Sequence, residues 1–331
     1  MLVTTLDAHV GGAAVRLVTS GVPRIEGASM AERRLSLEAV ADDVSLLLTR
    51  EPRGHAGVVG VILTEAERVD ADAGLLFLTG AGGRGLSGHA AMAAAALALN
   101  HGLVTPRTPD VLRFDTEAGP VVVLVATRDA SHRVRAVRYE GPPAAVLRGD
   151  VRMTTSRRTV RVDIAWSGSE LVAIVEGEAA GVPLSSSHAL ELRRTAHEII
   201  TTLDGMLALT PPGHAAVAPI AACAFVGPAT DLHADVRSVL VRSDGTVSRS
   251  PSASGTAAVS VVLAAMGMLT PGAVCRHESL SSTSWTAEAT PVDASDSALM
   301  TVAVTAEVHA TGMHEFVLDA GDPLRRGVAW L

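Results

Sequence analysis

Two segments of this chain are apolar on every face, and they limit its architecture more than any other feature. One is Ser87-Gly88-His89-Ala90-Ala91-Met92-Ala93-Ala94-Ala95-Ala96-Leu97-Ala98-Leu99. The other runs from Ser252-Ala253-Ser254-Gly255-Thr256-Ala257 through Val259 and Val262 to Met266. A surface helix hides one apolar stripe, whereas a helix that is apolar all round is buried all round. Both segments are rich in alanine, so surrounding strands can approach closely. Both open with serine, small residues and glycine, the first after a glycine-rich turn and the second after Arg249-Ser250-Pro251. They lie about half a chain apart. The pattern predicts one unit used twice, strands wrapped around a central buried helix.

The remaining segments fit that plan. Leu75–Leu78, Val121–Val125, Val172–Val175 and Ser238–Val241 are aliphatic or β-branched runs bounded by Gly, Pro, Asp or Ser, the mark of buried strands. Residues 32–50 place Leu35, Val40, Val44, Leu47 and Leu48 at helical spacing beside charges, and 187–207 reads the same way. The two apolar helices also carry the first chemical clue. A buried helix still has free N–H groups in its first turn and a partial positive charge there, so its start is suited to a carboxylate or phosphate. Two facing copies would hold one small anion, with Ser87 and Ser252 approaching from opposite sides.

Composition removes several alternatives. The chain of 331 residues contains no lysine, so all 27 bases are arginine. A lysine Schiff base and a Walker-type phosphate loop are thereby excluded. Net charge is −8 and aromatics are 2% of residues, which opposes a nucleic-acid partner. The two cysteines, Cys223 and Cys275, form no disulfide framework, and the N-terminus shows neither a basic nor an apolar leader region. The longest apolar run, Ala90 to Leu99, falls short of the roughly 20 residues that span a bilayer. The expectation is a cytoplasmic protein with no membrane partner. Asp231, His233 and Asp235 alternate as metal ligands on a strand face would, but no further ligand block accompanies them, and a solvated loop is the expected outcome.

Ordered blocks along nearly the whole chain resemble the proline racemase family, which includes 4-hydroxyproline epimerases and trans-3-hydroxyproline dehydratases. They are Asp7-Ala8-His9-Val10-Gly11-Gly12, Glu51-Pro52-Arg53-Gly54-His55, Ser87-Gly88-His89, Asp163-Ile164-Ala165-Trp166, Arg249-Ser250-Pro251-Ser252-Ala253-Ser254-Gly255-Thr256, His277-Glu278-Ser279 and Asp322-Pro323-Leu324. The resemblance implies an α+β, diaminopimelate-epimerase-like fold. It has two pseudo-symmetric α/β halves, each a barrel-like sheet around a buried helix, with the active site in the cleft between them. The expected halves are 1–128 with 308–331, and 129–307. The resemblance also implies no cofactor, no metal and a small-molecule carboxylate as partner, and it leaves homodimerisation open. In the family, two cysteines exchange a proton at the substrate α-carbon from opposite faces.

This chain departs from the family at the groups that do the chemistry. Both cysteine positions are serine, Ser87 and Ser252, and the acid that normally precedes Arg-Ser-Pro is Ser248. A serine hydroxyl is a far weaker acid than a thiol, whose reference pKa is about 8.5. Two unassisted serines are therefore poor agents for symmetric racemisation. The candidate catalytic residues are Ser87, Ser252 and His89, with His89 assisting Ser87. Gly88, His89, Ala253, Ser254 and Ser248 are the candidate substrate-binding residues. Three readings stay open: an isomerase or lyase of modified chemistry on a small cyclic amino acid or related carboxylate; a standard racemase, epimerase or dehydratase; and a non-catalytic binding paralogue.

Overall fold

The computed structural model describes residues 1–80, 86–293 and 296–328. Most of the glycine-rich turn leading into Ser87 lies outside them. The chain divides into two compact units, Met1–Tyr139 with Ala306–Leu331, and Glu140–Thr305. The first contains β1 (Leu2–Val10), β2 (Ala13–Ser20), α1 (Met30–Thr49), β3 (Val59–Thr64), β4 (Ala73–Thr79), α2 (Gly88–Asn100), β5 (Val111–Asp115), β6 (Val121–Arg128) and β7 (Val134–Glu140). In the second come β8 (Ala145–Thr154), β9 (Thr159–Trp166), β10 (Leu171–Glu176), the short α3 (Gly177–Ala180), α4 (Ala189–Met206), β11 (Ile220–Gly227), β12 (Val236–Arg242), α5 (Ala253–Ala265), β13 (Val274–Glu278) and β14 (Ser284–Asp293). The long β15 (Asp296–Val317) ends the strand sequence. Its first part pairs with β14 and its last part with β1, both antiparallel.

The repeat predicted from the apolar helices is visible in the strand pairing. In the first unit β2 and β3 are parallel, β3 and β4 antiparallel, β4 and β5 parallel, β5 and β6 antiparallel. The second unit repeats that series with β10 and β11, β11 and β12, β12 and β13, β13 and β14. Each parallel pair is joined by a helical crossover, as parallel neighbours require: α1 between β2 and β3, α2 between β4 and β5, α4 between β10 and β11, α5 between β12 and β13.

Within the first unit α2 packs against β1, β2, β3 and β6. A sheet that touches one helix with both early and late strands has to curl around it, and Ala90–Ala98 are almost wholly buried as a result. In the second unit α5 packs against β8, β9, β10, β12 and β14 in the same manner. Leu171, Ala173 and Val175 of β10 face outward instead, meeting Leu192, Ala196, Ile199 and Leu203 of α4 in a second core layer. The corresponding layer of the first unit joins Val3, Val18, Ile62 and Leu76 to Leu37, Val44 and Leu48 of α1.

Several smaller readings meet the structure here. Trp166 and Trp285 are buried in the core. Met266, the last residue of the second apolar segment, and Met268 lie just past the end of α5 and are 62% and 69% exposed. Arg53 pairs with Asp322, while His55 lies exposed with Nδ1 3.0 Å from the Ala56 carbonyl. Asp231, His233 and Asp235 lie on a turn before β12. The Asp231 carboxylate accepts the His233 amide at 2.9 Å, and Asp235 accepts the Arg276 amide at 2.7 Å. No cluster of three or more potential metal ligands occurs among the described residues.

Candidate active site

Ser87 occupies the N-cap position of α2 in an extended conformation (φ −118°, ψ 100°), yet its side chain makes no capping bond. The first helical bond runs from the Ala91 amide to the Ser87 carbonyl at 2.9 Å. The amides of the first turn have no partner within the helix for geometric reasons. They also lie at the positive end of the helix dipole. The Ser87 hydroxyl lies 3.4 Å from both ring nitrogens of His89. Equal distances to the two nitrogens put the hydroxyl off the in-plane lone pair of either one, so a proton-transferring hydrogen bond forms once the ring turns. Ser87 and His89 are half-buried and Gly88 is buried, so the hydroxyl, the imidazole and the helix start share one small region. The structure thus brings together the three residues expected at this end of the first unit.

The matching end of the second unit is built from serines. Ser252, 8% exposed, occupies the N-cap of α5 with φ 65° and ψ 135°, a sparsely populated combination for a residue bearing a side chain. Its hydroxyl lies 3.2 Å from that of Ser254. Its amide donates to Ser250 Oγ at 3.3 Å, and Ser248 Oγ donates to the Ser250 carbonyl at 2.9 Å. Ser248, Ser252, Ala253 and Ser254 are therefore neighbours, as expected. Ser250, which ties Ser248 to Ser252, was missed. The signal was present in the strict alternation of serine at 248, 250, 252 and 254. Among the described residues no carboxylate or imidazole bonds to Ser248, Ser252 or Ser254. One turn further along, Thr256 Oγ1 is buried with no hydrogen-bond partner.

The two cysteines belong to strands and not to either helix start. Cys223 lies in β11 and Cys275 in β13, both buried. Burial, followed by the charge of Asp235, pushes the Cys275 thiol up to about 11, and burial raises Cys223 further. Neither is a thiolate near neutral pH.

The family described as Proline racemase matches residues 5–329. The chain belongs to the proline racemase family. Among its relatives, the trans-3-hydroxy-L-proline dehydratase of Bacillus cereus is 31% identical over 98% of this chain and 97% of its own length. A 4-hydroxyproline 2-epimerase of Ancylobacter novellus is 32% identical over 83% of this chain and 82% of its own. The solved hydroxyproline epimerase of Agrobacterium vitis, with bound trans-4-hydroxy-L-proline, superposes with a TM-score of 0.86 at 24% identity, covering 99% of this chain and 95% of that one. This proline racemase family member therefore has the α+β fold of the family, the diaminopimelate-epimerase-like one. No helix among its described residues is long and apolar enough to cross a membrane.

Proposed function

We propose that this member of the proline racemase family is a cofactor-independent enzyme that moves a proton by one-sided acid–base chemistry on a small cyclic amino acid, and that elimination of water from a 3-hydroxylated imino acid is its reaction. The observation that carries this reading is an asymmetry of chemistry. The helix start of the first unit places an imidazole beside its serine hydroxyl, whereas that of the second unit offers hydroxyls alone. Racemisation through two faces needs an effective acid and an effective base in each direction. Elimination needs one base and a leaving group that accepts a proton.

In the proposed step the Ser87 hydroxyl takes the α-proton as His89 Nδ1 or Nε2 takes the hydroxyl's own proton. The electron pair left on the α-carbon forms a double bond to the β-carbon, and the bond from that carbon to its hydroxyl breaks. The departing oxygen receives the proton held by His89, so water leaves and both residues return to their starting states. The enamine then tautomerises to the cyclic imine. The first-turn amides at Gly88 and His89 are suited to the substrate carboxylate and to the charge that develops on it. Ser248 stands where an acid would otherwise add negative charge.

The relatives named as trans-3-hydroxy-L-proline dehydratases support the same class of reaction. Incubation with trans-3-hydroxy-L-proline tests it, with the imine followed by its absorbance. Parallel incubations with L-proline and trans-4-hydroxy-L-proline in heavy water read α-deuteration. Imine formation without deuteration of the other two is the expected result. Deuteration and inversion of either of those two would assign symmetric chemistry instead. Binding of all three without any turnover would assign the non-catalytic reading.

A further inference from the structure

The end of β2, the loop 21–27 and the end of β3 enclose a cavity of about 570 Å³ in the first unit, within the size range of small-molecule sites. Val18 and Ile62 of the α1 core layer border it on the inner side, among a largely polar lining. The loop wall is held in place rather than draped. Val22 and Ile25 pack on the α1 core layer, and the Glu26 amide donates to Ser36 Oγ at 3.1 Å. Gly27, at φ 142°, abuts α1 so closely that a Cβ would come within 2.7 Å of the Arg33 backbone nitrogen.

Arg33 lines this cavity, and its residue is 94% buried (6% exposed). Its Nε donates to the Gly27 carbonyl at 2.9 Å, and its Nη1 donates to the Glu65 carbonyl at 2.5 Å and faces Met30 Sδ at 3.7 Å. All three acceptors are uncharged. Nη2 has no hydrogen-bond partner among the described residues, yet it is not among the sealed polar atoms, so it retains contact with open space. Among the described residues Arg33 forms no ion pair, and neither does Arg24, the second guanidinium on the lining. Two exposed carboxylate residues, Glu26 and Glu65, also line the cavity, and their side chains too form no ion pair among the described residues. A buried guanidinium without a counter-charge is costly unless a ligand supplies one, and a guanidinium edge is matched to a carboxylate.

We infer that this cavity is a second ligand site, separate from the helix starts, for a zwitterionic amino acid with an apolar side chain. The carboxylate meets Arg33 Nη2 and Arg24, the ammonium meets Glu26 or Glu65, and the side chain covers Val18 and Ile62. Opposite charges that line one cavity without pairing directly match a ligand that carries both. The inference does not depend on the proposed reaction.

Calorimetric titration of the full chain with L-phenylalanine tests it, alongside Arg24→Ala, Glu26→Gln and His89→Ala. Arg24 is exposed and makes no side-chain bond among the described residues, so its removal leaves the fold intact. The expected result is saturable binding, weakened about tenfold or more by Arg24→Ala and unchanged by His89→Ala. N-acetyl-L-phenylalanine and L-phenylalanine amide, each lacking one of the two charges, should bind correspondingly less well. No heat at millimolar ligand overturns the inference, as does full affinity in Arg24→Ala. Loss of binding in His89→Ala also overturns it, by placing the ligand at the α2 start. Equal affinity for the N-acetyl compound overturns the zwitterion assignment.

Discussion

His277 Nε2 lies 2.6 Å from Ser238 Oγ in the interior of the second unit, where the imidazole is buried with no charged partner among the described residues. Burial pushes its pKa down to about 4. In the unfolded chain the same group titrates near the usual 6.5. Above that value neither state binds the proton, and the stabilising contribution is complete. As pH falls from about 6.5 toward 4, the unfolded state binds a proton that the folded state refuses, so stability falls. The full loss is on the order of 3 kcal/mol. Urea unfolding between pH 7 and pH 4 should show this decline, and His277→Gln should flatten it.

The catalytic proposal predicts unequal effects at the two helix starts. His89→Ala and Ser87→Ala should each lower dehydration by about a hundredfold or more, the range for loss of a positioned acid–base group. Ser252→Ala should cost far less, because no base is bonded to that hydroxyl among the described residues. Steady-state rates on trans-3-hydroxy-L-proline measure the difference.

Ser252 holds φ at 65° without using its side chain as a helix cap. Glycine adopts that conformation without the penalty of a Cβ, which for other residues is of order 1–3 kcal/mol. Ser252→Gly should therefore unfold at the same or higher denaturant concentration than the parent, an outcome unlike that of most buried substitutions. Loss of more than about 1 kcal/mol in chemical denaturation would contradict the strain.

Gly168 turns the chain between β9 and β10 at φ 92°, and a Cβ there would stand 2.1 Å from the Pro142 carbonyl oxygen. Both backbone conformation and space oppose a side chain. Gly168→Ala should destabilise by about 2 kcal/mol or more, read by thermal unfolding.

Arg16 is the hub of the first unit's outer layer. Its Nε donates to Asp7 Oδ2 at 3.0 Å, its Nη1 donates to the carbonyls of Leu48 at 2.6 Å and Arg53 at 2.7 Å, and its guanidinium lies 4.5 Å from the Phe316 ring centre. His314 Nδ1 also reaches Asp7 Oδ2 at 3.1 Å. Removing one partner of such a buried pair typically costs about 3–5 kcal/mol. Arg16→Met should show a loss of that order, and Asp7→Asn combined with it should recover part.

Much of the architecture was legible because burial leaves a compositional trace. Helices α2 and α5 announced themselves by having no polar face, and their spacing disclosed the repeat. The start of α1 was less readable. Ser29 Oγ caps the Glu32 amide at 3.2 Å, a local signal, but the Met30 amide is satisfied by Glu67 Oε2 at 2.7 Å, far along the chain. The alternation at Asp231, His233 and Asp235 has the period of a strand and sits on a turn, because Asp side chains bond nearby amides as readily as they decorate a sheet. At the candidate site the family blocks located Ser87, His89 and Ser252. The role of Ser250 depends on a backbone turn that alternation of serines only hints at.

The length of β15 has a consequence for how this protein is made. Leu2 pairs with Val317 and Val10 with Val308, so one edge of β1 meets β2 at once while the other waits for the much later β15. The pairs from β8–β9 through β13–β14 all lie within Glu140–Thr305 and can organise while translation continues. The first unit therefore stays incomplete until β15 has been made, its open β1 edge a natural client for a chaperone in the meantime.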